Sequence, residues 1–88
     1  MFYNYVLKSD RNDEIYIGRT SDLKHRLWEH NKGLSPSTKR YVPWKIIYYE
    51  ACLSESDSIR REGYLKTTQG RRLLRIRLRD FFIDNRVG

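Results

Sequence analysis

Cysteine is almost missing from this chain. Cys52 stands alone, which rules out an intrachain disulfide and with it the small secreted scaffolds that disulfides hold together. One cysteine and two histidines also leave too few ligands for a four-coordinate structural zinc site. No apolar run approaches the roughly 18 residues that a membrane span requires, and no leader-like segment opens the chain. A cytoplasmic protein with no membrane partner is therefore expected. Proline is scarce and confined to residues 36 and 43, so the rest of the chain is free to form regular elements.

Acidic residues are the minority: 11 Asp and Glu stand against 18 Lys and Arg, a net charge of +7 and a pI near 9.8. So large an excess on a small domain favours a polyanionic partner, and nucleic acid leads. What the chain does hold in quantity is aromatic surface, including seven tyrosines, which is too much for a disordered segment. Its 88 residues make one domain, 1–88, of a size that buries only about 60 to 65% of the surface its unfolded chain exposes.

Residues 2–8, Phe-Tyr-Asn-Tyr-Val-Leu-Lys, are aromatic and β-branched as strands are, and residues 9–12 supply turn chemistry. Glu14 to Gly18 reads as the returning strand. A loop over 9–12 places Lys8 opposite Asp13 and Tyr5 opposite Tyr16, with both phenols on one face. A slip of one residue would part them. Ser21 or Asp22 caps a helix running to about Asn31, with Gly33 just past its end. On that helix Leu23 and Leu27 share a stripe, Arg26 and His30 flank it, and Trp28 points away.

Residues 32–43 read as a connecting loop, and Trp44 to Ala51 as a third strand whose nearly continuous apolar character suits the centre or covered side of a sheet. Ser54-Glu55-Ser56-Asp57 fits a capping box opening a helix to about Thr68. Glu62 falls between Ile59 and Leu65 on its wheel, near the buried side. Gly63 costs that helix about 1 kcal/mol against alanine, which points to close packing or to the approach of another group. Arg71 to Ile83 completes the chain as one amphipathic helix: Leu74, Leu78, Phe81 and Phe82 on one side, Arg72, Arg75 and Arg79 on another. The expected fold class is α/β (α+β), a three-stranded, largely antiparallel sheet flanked by three helices in the order ββαβαα.

Cutting a phosphodiester needs a base for the attacking water, positive charge against the pentavalent transition state, and stabilisation of the leaving oxygen. Tyr16, Arg26 and Glu62 supply those three in turn. Tyr3-Asn4-Tyr5, then Tyr16-Ile17-Gly18, then Arg26, His30 and finally Glu62 together resemble the ordered signature of the GIY-YIG endonucleases, over about residues 2–68. The first tripeptide departs from the name-giving Gly-Ile-Tyr but keeps its tyrosine. Leu74 stands near where some relatives carry an asparagine.

The resemblance implies a divalent-metal-dependent endonuclease acting on DNA, in repair or recombination, with RNA as a less favoured substrate. It assigns Tyr16 as the base and Arg26 as the binder of the scissile phosphate, with Tyr5 and His30 completing the polar cluster. Glu62 would be the one protein ligand of Mg²⁺ or Mn²⁺, an oxygen-seeking ion that keeps several waters; Glu50 is the second acidic candidate. The competing explanation for Glu62 is a helix pair with Lys66, worth only about 0.2 to 0.5 kcal/mol. A phenol with a pKa of about 10 is about 0.1% ionised at pH 7, so Tyr16 needs cations near it. Arg19, Lys24, Lys39, Arg40, Arg72, Arg75 and Arg79 are the expected nucleic-acid contacts. The rival reading, from another class, is a catalytically inactive module that binds nucleic acid on the same scaffold. So short a domain also suggests a partner protein for substrate selection.

Overall fold

The computed structural model describes residues 1–87, with side chains through Asp84. Strands β1 (Phe2–Ser9), β2 (Ile15–Thr20) and β3 (Trp44–Cys52) form one antiparallel sheet in the order β2-β1-β3. Helices α1 (Leu23–Asn31), α2 (Glu55–Leu65), α3 (Thr68–Arg77) and α4 (Arg79–Val87) complete it, with a single turn of tighter helix at Lys39–Tyr41. The class is the expected α+β sheet with helices. The helix count is four, not three.

The extra helix comes from two boundaries that the sequence hides. The Thr67 hydroxyl accepts from the Gly70 N–H at 3.0 Å, so a new helix starts at Thr68 and α2 stops at Leu65. The chain then breaks again at Leu78 (φ −107°, ψ 23°), and α4 begins at Arg79. Phe81 thereby meets Lys45 of β3 and Phe82 meets Arg75 of α3. Because of that break Arg72 and Arg75 lie on one helix and Arg79 on the next, so the three do not make one continuous stripe.

The register also differs from expectation. Tyr5 lies opposite Gly18, Leu7 opposite Tyr16 and Lys8 opposite Ile15. Ser9 stays in the strand because its hydroxyl donates to the Tyr41 carbonyl (2.7 Å) while its N–H donates to the Glu14 carbonyl (3.1 Å). Asn12, whose side chain accepts from the Glu14 N–H at 2.9 Å, then closes a loop one residue later than expected. The change in pairing is two residues, so side-chain parity survives and Tyr5 and Tyr16 still share a face.

β1, not β3, is the central strand. The apolar run of β3 is explained by a bulge: Val6 pairs with Tyr48 and Leu7 with Ile46, leaving Ile47 over. Ile46 then packs on the α1 side and Ile47 and Tyr48 on the other, so an edge strand feeds both layers. One core gathers Val6, Ile17, Leu65 and Leu74 under α2 and α3; the other gathers Tyr5, Leu7 and Trp44 under α1. Leu74, buried in the first, is a packing residue.

α1 is capped as expected by Asp22, which accepts from the His25 N–H at 3.1 Å, and Gly33 turns the chain at φ +75°. Its C-terminal end is pinned to β3 by Asn31, whose side chain accepts from the Trp44 N–H (2.6 Å) and donates to the Trp44 carbonyl (3.0 Å). In α2 the inward stripe is Ser58, Glu62 and Leu65, with Ile59 exposed. Gly63 has open space around it. Gly70 is the close contact instead: a Cβ there would come within 2.6 Å of the Leu65 Cα.

Candidate active site

The face of the sheet under α1 collects the polar groups. Tyr5 from the central strand and Tyr16 from the edge strand lie diagonally across the ladder, ring centroids 6.3 Å apart. Gly18, opposite Tyr5, leaves the space that the Tyr5 ring crosses. His30, fully buried in the last turn of α1, closes the cluster: its ring is 5.1 Å from that of Tyr16 and its Nε2 is 2.8 Å from the Tyr5 hydroxyl. His30 Nδ1 is 2.7 Å from the Thr38 hydroxyl, which donates to the Ser35 carbonyl at 3.5 Å.

Burial, helped by the Arg26 charge, pushes His30 down to about 4, so the ring is neutral at pH 7 and carries a single N–H. That one N–H serves one of the two contacts, to Tyr5 or to Thr38, and the bare nitrogen accepts at the other. Arg26 lies near enough to the Tyr5 hydroxyl for its charge to act on it. Burial lifts the Tyr5 phenol to about 12 against the opposing pull of Arg26, so Tyr5 stays protonated and cannot serve as the base.

Arg26 lies beside Tyr5 and is held by Glu29, whose Oε1 accepts from it at 3.2 Å. Its side chain keeps about 30% of its surface open, enough to offer donors to an oxyanion. Tyr16 is half-buried, and its hydroxyl has no hydrogen-bond partner among the described residues. A fixed phenol that is not engaged within the protein is free to meet substrate or water.

Glu62 approaches the same cluster from α2, near enough for its charge to act on the Tyr5 hydroxyl. Its side chain is 22% exposed, and its carboxylate lies 3.8 Å from Arg19 Nε and 3.4 Å from Lys66 Nζ. It accepts no hydrogen bond from either, so its lone pairs remain available to a hard cation. No cluster of three or more metal-ligating side chains occurs among the described residues. A lone carboxylate is what an ion of the Mg²⁺ or Mn²⁺ kind takes from a protein, filling the rest of its shell with water and substrate oxygens. Glu50 does not qualify. Arg61 grips both its oxygens at 2.8 Å and holds it below the usual carboxylate range, with the Tyr48 hydroxyl adding a third bond at 3.0 Å.

Of the expected cationic contacts, Arg19 is turned to Glu55 (3.3 Å) and Glu62, and its buried Nε has no hydrogen-bond partner. Lys24, Lys39 and Arg72 are exposed without an ion-pair partner among the described residues. Arg40 lies over Tyr41, Arg75 over Phe82, and Arg79 beside Asp80. Thr38 and Glu29 escaped the sequence reading. Glu29, three residues after Arg26, was visible as a helix pair; Thr38, in an irregular loop, carried no such signal.

Residues 1–75 match the GIY-YIG catalytic domain. The chain is 37% identical over 65 residues to a UPF0213 protein of Streptococcus pneumoniae serotype 4, covering 73% of this chain and 65% of that protein. It is likewise 37% identical over 65 residues to a UPF0213 protein of Streptococcus agalactiae serotype V, covering 73% of each. A UPF0213 protein of Clostridium perfringens is 33% identical over 67 residues, 75% of this chain and 71% of that one. No solved structure matches the chain.

Proposed function

The chain belongs to the GIY-YIG catalytic-domain family, and on that premise we propose that it is an endonuclease that hydrolyses phosphodiester bonds. The observation that carries this is the convergence of Arg26 on the Tyr5 and His30 pair, beside a Tyr16 hydroxyl that has no hydrogen-bond partner among the described residues. DNA is the proposed substrate, in a repair or recombination setting, and the surplus of positive charge supports a polyanionic partner.

In the proposed reaction Tyr16, in its phenolate form, accepts a proton from the attacking water, and Arg26 binds nonbridging oxygens of the scissile phosphate with its planar fork. Tyr5 and His30, both neutral, lie beside Arg26 without adding charge. Glu62 would hold Mg²⁺ or Mn²⁺, which when bound supplies positive charge against the phosphate and the leaving oxygen. Lys24 and Lys39, exposed and unpaired among the described residues, are proposed to meet the flanking backbone.

Two observations favour a second reading, an inactive nucleic-acid-binding module: Arg19 and Lys66 flank Glu62 on both oxygens, and Leu74 is core. One experiment separates the two. Supercoiled DNA, branched DNA and RNA are incubated with Mg²⁺ or Mn²⁺ and the wild-type, Tyr16→Phe and Glu62→Gln proteins. Metal-dependent cutting of DNA that falls at least about a hundredfold in both variants supports the nuclease. Salt-sensitive binding with no turnover in the wild type supports the inactive module.

A further inference from the structure

Trp28 is 52% exposed on the side of α1 turned from the sheet. The core beneath α1 is closed by Leu23 and Leu27, so nothing in the packing requires an indole there. Its surroundings are specific. The His25 ring stacks on it with centroids 5.7 Å apart and planes 21° apart. Lys32 Nζ stands 5.9 Å from the indole centroid, and Lys24 is exposed on the same helix. Two acidic residues border the stack: Asp22, which caps the helix at the His25 N–H (3.1 Å), and Glu29, 3.6 Å from His25 and shared with Arg26.

A flat aromatic face bordered by ammonium groups matches the two parts of an unpaired nucleotide, a base with an open π-face and a phosphate. Uninterrupted duplex offers the phosphate but not the base face. Lys32 sits at the outer limit of a cation–π contact on a flexible stem, so it can turn to a phosphate and leave the indole open. We infer that Trp28, with His25 and Lys32, is a stacking platform for an unpaired base of a nucleic-acid strand that crosses α1. Arg26 and Trp28 are two residues apart on opposite flanks of a helix about 10 to 12 Å across. A strand whose phosphate lies at Arg26 therefore reaches the platform within a short single-stranded length. The position relative to a phosphate at Arg26 rests on the nuclease reading; base stacking at Trp28 does not.

The test uses metal-free protein at low salt, titrated with oligothymidylate and with a blunt duplex while tryptophan emission is read. The other tryptophan, Trp44, is 4% exposed and serves as an internal constant. Oligothymidylate is expected to quench Trp28 emission more strongly than duplex does. In Trp28→Leu the quench disappears and single-strand affinity, read by anisotropy of a labelled oligonucleotide, falls at least about fivefold. Duplex affinity stays within about twofold, and Trp28→Tyr restores most of the loss. Equal quenching by duplex, or equal single-strand affinity in Trp28→Leu, overturns the platform. Because no cleavage is measured, an inactive protein that still shows the quench overturns the nuclease alone, and an active one without it overturns the platform alone.

Discussion

Gly18 sits directly across the ladder from Tyr5, and a Cβ at Gly18 would fall 2.5 Å from the Tyr5 hydroxyl oxygen and 2.9 Å from the Tyr16 ring. The glycine is the gap through which both phenols reach the cluster. Gly18→Ala is therefore expected to destabilise the protein by about 1 to 3 kcal/mol, as overpacking does. It should also displace Tyr5 from His30 and lower any cleavage activity more than the stability loss explains. Urea unfolding together with the cleavage assay at a temperature where the variant is folded checks both.

The glycines of α2 and α3, Gly63 and Gly70, should respond in opposite directions. Gly63 is surrounded by open space inside α2, so Gly63→Ala is expected to stabilise by about 0.5 to 1 kcal/mol through helix propensity. Gly70→Ala would drive a methyl into the Leu65 backbone, and a loss of about 2 kcal/mol or more is expected from a contact that neither helix can relax. Thermal unfolding of the pair reads both signs.

Asn31 holds both polar groups of the Trp44 backbone. Asn31→Leu keeps the volume and removes both bonds, leaving a half-buried N–H and C=O without partners. A cost of about 1 to 3 kcal/mol is expected, and hydrogen exchange at the Trp44 amide should rise ahead of the rest of β3.

Stability should carry the signature of His30. Its folded value of about 4 lies below the ordinary 6.5, so between those values the unfolded chain binds more protons and stability falls as pH drops from 6.5 toward 4. The expected loss is about 3 kcal/mol across that window, fully recovered above pH 6.5. Tyr5, raised to about 12, works at the other end: stability is lost as pH rises from 10 toward 12. His30→Gln should flatten the acid limb and leave the alkaline one. Denaturant midpoints across pH test the sign as well as the size.

The strands, the α1 cap and the order of the chemical residues were legible in the sequence because each rests on local signals: period-two alternation, a capping residue, fixed spacing along one element. The Tyr5 and Tyr16 face survived an error in register because parity depends only on whether the slip is odd or even. The helix break at Leu78 and the helix start at Thr68 were not legible, since a basic amphipathic pattern continues across both. Nor did propensity tell which helical glycine was the crowded one.

The sequence by itself determined the kind of sheet, the helix that carries Arg26 and His30, and the family to which these residues belong. Only the tertiary structure decided that Thr38 orients His30, that Arg61 removes Glu50 from consideration, and that Glu62 stands between two cations. The reason is range. Propensity and periodicity act between residues a few positions apart, whereas a hydroxyl from a loop, a guanidinium from α2 and a carboxylate from the same helix find their partners only after the sheet brings distant segments together.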